Sequence, residues 1–368
     1  MINKERLIET FMEYVKVDSE TKNEKAIGER IMHDLNYIGL SAEFDDAGKK
    51  IGSNGNNIYC FIPGNNDSEP LLFSAHMDTV TPGIGIEPYI DGNYIKSKGN
   101  TILGGDDKSG IVAILEALRI IKENNLKHRP IEIMFSIGEE GGLNGVKNFD
   151  FSKLKSNKGV ILDSSNGTGH IVTSAPGQTR IFAKITGKAS HAGGSPEDGI
   201  SAIMVGAEAI TNMKLLRIDE ETTANIGTFN AVGPTNIVSP LAEIVAEARS
   251  RCNEKLKEQT NHMVDCLIKS CEKYKAKLEY EIEECYHSYA IDDNDELVEM
   301  VSNICKNLGL EVKKIPSGGG SDANVYNKNG IKAINIGTGM EFPHTLEERL
   351  SINDFVDVTK VVLEIMTK

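Results

Sequence analysis

Five groups of acids and histidines in this sequence stand at the ends of runs that read as buried strands. LLFSA (71–75) leads into His76, Met77 and Asp78, and the loop TILGG ends in Asp106 and Asp107 just before a helix. IEIMFSI (131–137) runs into Glu139, Glu140 and two glycines, and GVIL (159–162) ends at Asp163. After IKAINI (331–336), the loop GTGMEFP leads to His344. Ligands of open α/β sheets gather at the carboxyl ends of the strands, so these residues are predicted to meet in one crevice.

Two imidazoles and several carboxylates in one place suit zinc, which takes nitrogen and oxygen ligands. Five ligand groups exceed what one four-coordinate ion with an open position needs. Two ions ~3.5–4 Å apart, sharing a carboxylate and a water, fit the count better. Acids clustered without a metal would repel one another and raise their pKa values. Each group alone has a plainer reading. His76-Met77-Asp78 and Glu139-Glu140-Gly-Gly could be turns, Asp106 and Asp107 could cap the next helix, and His344 could be a hydrogen-bonded loop histidine. Their joint occurrence in this order favours a metal site.

The elements that must position them follow from periodicity. Leu7, Ile8, Phe11 and Val15 share one helical face, and Ile27, Ile31, Leu35 and Ile38 another. Thr21 and Glu24 have capping-box spacing for the second helix. NIYCFI (57–62) and the strands named above alternate with the helix 109–124, which predicts an α/β domain with a largely parallel sheet. From Gly177 the order becomes strand, helix, strand, strand, helix, strand, that of a ferredoxin-like module. After about Ala290 the α/β pattern returns. The expected organisation is one α/β domain, 1–176 plus 289–368, with a smaller α+β module, 177–288, inserted.

Composition sets outer limits. The chain has 368 residues, 39% hydrophobic and 26% charged, which suits one large or two ordinary folded domains. A formal net charge of −14 and the lack of a basic cluster argue against nucleic acid and anionic lipid. No window approaches the ~18 apolar residues of a membrane span, and the N-terminus lacks the apolar core of a secretory signal. Six scattered cysteines without a CxxC pair read as reduced thiols. The expectation is a cytoplasmic protein with neither membrane nor nucleic-acid partner.

The segments SAHMDTV, TILGGDDKSG, SIGEEGGLNG, ILDSS, GKASHAGGSPEDG and GTGMEFPHTLEE resemble the ordered motifs of the di-zinc exopeptidase and deacylase family. The form GGDDKSG and an aspartate at 163 are most similar to its peptidase T, or tripeptidase, branch. The resemblance covers nearly the whole chain and implies a zinc-exopeptidase-like α/β catalytic domain with a mixed, mainly parallel sheet and an inserted ferredoxin-like lid. It implies two divalent ions, zinc first. His76 and Asp163 would hold one, Glu140 and His344 the other, and Asp106 would bridge them. Asp78 would orient His76 through its second ring nitrogen, and Glu139 would be the general base and then acid. A non-proline cis peptide is implied between Asp106 and Asp107.

His191, read without the family, is a surface loop histidine. The resemblance makes it an oxyanion donor, acting in its own subunit or a neighbouring one, so a homodimer through the lid is an expectation. Arg249 is either the charged face of a strand or the grip on a substrate carboxylate. Asn236, Gly319 and Gly320, with Ser321 and Asp322, match family segments near the substrate. The implied activity is hydrolysis of short peptides from the N-terminus. A carboxypeptidase or N-acyl amino acid deacylase on the same scaffold, a non-catalytic peptide-binding module and, more remotely, a two-metal phosphatase are the alternatives.

Overall fold

The computed structural model describes residues 2–368, which fold as two compact units. The first takes the chain up to Ser174, then Ile291–Ser317 and Ser321–Lys368; the second takes Ala175–Ala290 with Gly318–Gly320.

The first unit is built on a mixed sheet whose order is Ile58–Ile62, Ile131–Ser136, Leu71–His76, Lys158–Ser164, Lys332–Gly337, His170–Ala175. The four central strands run parallel, and the strands Ile58–Ile62 and His170–Ala175 pair antiparallel to their neighbours. Every residue of Leu71–His76 and of Ile131–Ser136 is buried. That is why these runs are mostly apolar rather than alternating, with Ser74 and Glu132 as buried polar exceptions. The helix Gly105–Glu123 crosses the sheet with Ile111, Ile114, Leu115 and Leu118 in the core. The helices Lys4–Val15 and Lys25–Tyr37 bury Leu7, Phe11, Ile27, Ile31 and Leu35.

The capping box expected at Thr21 does not form. The second helix starts after Glu24 without a side-chain cap, because the Thr21 hydroxyl donates instead to Asp78 Oδ2 at 2.8 Å. A small antiparallel sheet was also not foreseen. The strand Met340–Glu341 pairs with Arg349–Ser351, which pairs with Tyr94–Lys98. The loop carrying His344 is therefore the tip of a hairpin, and its direction is set by the strands on either side.

The second unit is a five-stranded antiparallel sheet whose four long strands are Thr222–Asn230, Leu241–Ser250, Gly177–Thr186 and Lys277–Tyr286, in that spatial order. This is the strand order of a ferredoxin-like module. Helices Ala202–Asn212 and Asn253–Tyr274 pack on it, burying Val205, Ala209, Met263 and Leu267 against Ile181, Ile185, Ile244 and Ala246. Alternation along Leu241–Ser250 puts the small apolar residues inside and the charged ones outside. No helix among the described residues is long and apolar enough to cross a membrane.

Candidate metal centre

His76 ends its strand in register with Ser136, and Asp163 lies near the end of the neighbouring parallel strand. His76 Nε2 is 3.0 Å from Asp106 Oδ1 and 3.7 Å from Asp163 Oδ1. The other oxygen of Asp106, Oδ2, is 3.2 Å from His344 Nε2, which is also 2.8 Å from Glu140 Oε1. One carboxylate thus turns its two oxygens to two different histidines, each of which has a second acid beside it. Glu140 Oε1 is buried and makes no hydrogen bond despite that close nitrogen, as expected of lone pairs that converge on an ion. Ligand atoms of His76, Asp106 and Glu140 lie within 4.8 Å of one another, as do those of His76, Asp107 and Asp163. The donor set fits two divalent ions.

Asp106 and Asp107 divide the two readings open to them. The peptide between them is cis, and both have non-helical backbone angles. Asp107 Oδ1 accepts from Gly110 N at 3.1 Å, capping the helix, and Oδ2 accepts from His76 N at 3.3 Å. Only Asp106 faces both histidines. Lys108 is turned away, donating to the Val17 carbonyl at 2.8 Å; its burial lowers its pKa to about 7.

Asp78 lies in the site but is used differently from the simple expectation. The nearest acceptor to His76 Nδ1 is the Asp78 backbone carbonyl at 2.9 Å, with Oδ1 at 3.5 Å. Its carboxylate accepts from Glu139 N (2.9 Å), Glu140 N (3.2 Å) and the Thr21 hydroxyl. Asp78 therefore fixes the imidazole and holds the turn that presents both glutamates. Adjacent side chains on that turn diverge. Glu140 faces His344, whereas the Glu139 carboxylate has no hydrogen-bond or ion-pair partner among the described residues.

The charges explain why such a cluster needs a cation. Burial, then the negative charge of Asp163, holds Glu139 well above the usual carboxylate range. Burial pushes Asp163 up to about 7, with the Asp106 and Glu140 charges adding to it. Burial opposes the ionised form of Asp106, but its contacts with His344 and His76 outweigh that and keep it below the usual range. His344 is raised to about 10 by Asp106 and then Glu140. Protons thus do what a metal would otherwise do.

The remaining candidates lie in the second unit. His191 Nδ1 accepts from Gly193 N at 3.2 Å and Gly194 N at 2.9 Å. A nitrogen that accepts carries no hydrogen, so the neutral ring keeps its proton on Nε2. The backbone carbonyl of Asn236 accepts from Ala192 N at 2.9 Å, tying this loop to that of His191. Arg249 Nε and Nη2 are taken by Glu247 at 2.9 and 3.2 Å. A Cβ on Gly319 would stand 4.0 Å from Arg249 Nη1, and one on Gly320 would run into the Tyr286 ring at 2.3 Å. Gly320 is therefore required by packing whatever else it does.

Sequence reasoning placed Asp322 near the substrate but missed Glu348. Asp322 is buried and accepts from Ser136 Oγ at 2.5 Å, and Glu348 accepts from the backbone ahead of Asp106. Carboxylates that bind backbone N–H groups leave no spacing signature.

The sequence profile of peptidase family M20/M25/M40 matches residues 72–368. The chain belongs to this family. It is 40% identical over 366 residues to the uncharacterized protein YqjE of Bacillus subtilis, covering 100% of this chain and 99% of that one. Its fold is similar to the crystal structure of aminopeptidase PepT from Bacillus cereus, with a TM-score of 0.93 and 40% identity, over 100% and 98% of the two chains. A tripeptidase from Staphylococcus aureus gives a TM-score of 0.97, again at 40% identity and the same coverage.

Proposed function

We propose that this M20-family peptidase is a tripeptidase that releases the N-terminal residue of short peptides in the cytoplasm, using two divalent ions, zinc first. The observation that carries this reading is Asp106, whose two oxygens face His76 and His344 separately. His76 with Asp163 and His344 with Glu140 would hold the ions. The ions supply Lewis acidity to the peptide carbonyl and to water.

The chain's own groups do the rest. Asp78 fixes the His76 ring and the Glu139-Glu140 turn. Glu139, buried and without a partner, takes the proton of the attacking water and delivers it to the departing amine. Its raised pKa leaves it able to hold that proton between the two steps. His191, with its proton on Nε2, is the proposed donor to the oxyanion. Arg249 would take the peptide carboxylate, with Gly319 beside its Nη1, and Asn236 would act from the loop tied to that of His191. The relatives named above, an aminopeptidase and a tripeptidase, support the choice of substrate. Exposed Phe182, Tyr280 and Ile282 on the second unit's sheet support a homodimer through that unit.

Metal analysis combined with a substrate panel tests this reading. Two zinc equivalents per chain and preferred cleavage of Ala-Ala-Ala over dipeptides, N-blocked peptides and N-acetyl amino acids are expected. Preference for N-acetyl amino acids or N-blocked peptides would replace the aminopeptidase reading by a deacylase or carboxypeptidase one.

A further inference from the structure

Asp106 can bridge two ions only if its own backbone is held still, and it sits in the first, non-helical turn of its helix. Residues 103–106 span the entry into the helix Gly105–Glu123, Gly104 adopts a left-handed conformation (φ 71°), and Asp106 is non-helical. The N–H groups of this stretch have no acceptor within the helix, and buried N–H groups left unpaired are costly.

Glu348 supplies those acceptors. It is buried, with Oε2 accepting from Leu103 N and Gly104 N, both at 2.8 Å, and Oε1 accepting from Asp106 N at 3.1 Å. The glycine at 105 permits this approach, since a Cβ there would stand 3.2 Å from Glu348 Oε1. Glu348 follows His344 on the same hairpin, immediately before the strand Arg349–Ser351, which is anchored to Tyr94–Lys98. One short segment therefore reaches Asp106 twice. His344 meets its carboxylate, and Glu348 holds its backbone.

We propose that Glu348 is a positioning residue for the metal centre, fixing the Asp106 carboxylate between His76 and His344 through the backbone of residues 103–106. This rests on the two-metal reading above. One buried side chain that satisfies three backbone donors beside the bridging ligand does more than fill space.

The test uses E348Q and E348D in the full chain, with zinc affinity by chelator competition, metal-free thermal stability, and kcat and KM for Ala-Ala-Ala. Glutamine can keep the Leu103 and Gly104 bonds through its oxygen, but its NH2 then faces the Asp106 N–H, donor against donor. Aspartate keeps the charge but draws it back by one methylene. Both variants are expected to fold, as judged by circular dichroism, and to bind at least one zinc ~10–100-fold more weakly, the usual cost of losing such support. kcat should fall with KM little changed, and excess zinc should recover part of it.

The proposal is overturned if both variants fold and keep wild-type zinc affinity and kcat. It is equally overturned if they lose thermal stability while the folded protein binds zinc as before. Restoration of full affinity by E348D would assign the effect to charge and also overturn it. Wild-type protein that takes up two zinc ions but cleaves no peptide would sink the peptidase reading and leave the Glu348 comparison standing.

Discussion

The adjacent parallel strands Lys158–Ser164 and Lys332–Gly337 carry charge at both ends, arranged in opposite ways. At their start, Lys158 stands opposite Lys332. Lys158 pairs with Glu296 and with Glu69, and Lys332 pairs with Asp295. Cations meet acids there at an exposed edge. At their far end, Asp163 joins Asp106, Asp107, Glu139 and Glu140, largely buried and acid beside acid, with the imidazoles of His76 and His344 among them. Exposed pairs contribute little, a median of about 0–1 kcal/mol. A buried cluster of like charge is costly unless a cation occupies it. The pairs at the start hold the edge in place, and the cluster at the end points to chemistry.

The largest effect expected is at Glu139. The E139Q variant keeps every proposed ligand and the shape of the turn but cannot carry the proton. Turnover should fall about 10²–10⁴-fold, the usual worth of a general acid-base group, with two metal equivalents retained. Activity within a few-fold of wild type would remove Glu139 from the mechanism. His191 comes next, on the other unit. H191A should lose about 10²–10³ in kcat, as for a lost oxyanion donor, without changing metal content. A change in KM alone would make it a binding residue.

Ion removal tests the cluster as a whole. In the ion-free protein burial pushes Asp163 up to about 7 when folded, against an ordinary carboxylate value of 3.8. Between those pH values the folded chain holds a proton that the unfolded chain has released, so stability falls as pH rises. His344, raised from 6.5 to about 10, works in the same direction. Its contribution is full below 6.5 and is lost as pH rises through 10. Zinc replaces these protons. The gap in Tm between zinc-loaded and chelator-treated protein should therefore widen from pH 6 to pH 8. A gap that narrows over that range would contradict the assigned ligands.

Arg249 is a smaller test. If it grips the peptide carboxylate, R249A should raise KM for Ala-Ala-Ala about 10-fold, in line with a charge-assisted hydrogen bond, and leave the C-terminal amide unaffected. An equal rise for both substrates would indicate that the Arg249–Glu247 pair only braces its strand.

These contrasts also separate what the sequence made legible from what it did not. Strand ends are visible because a buried parallel strand is a mostly apolar run, and the cluster of acids or histidines after it marks the edge of the sheet. His76, Glu139, Glu140 and Asp163 all stand at such edges. The division of labour between Asp106 and Asp107 depends on backbone angles that adjacency does not encode. The roles of Asp78, Thr21 and Glu348 toward backbone N–H groups were hidden for a related reason. Every residue but proline offers an N–H, so no residue type at a fixed offset marks such a bond. The hairpin around His344 was missed because the strand Met340–Glu341 has two residues and Arg349–Ser351 three, too few for alternation to show.

The smallest effect expected is at the opposite end of the sheet, and it completes the contrast. K158A removes both Lys158 ion pairs but leaves Glu69 and Glu296 exposed to water, where an unpaired carboxylate costs little. Lys332 directly across the ladder even gains, since a like charge opposite it disappears. Tm should move by less than about 2 °C, with kcat and zinc affinity unchanged. A loss comparable to that of E139Q would mean that the paired edge is coupled to the metal centre through the strands, and the two ends could no longer be treated as independent.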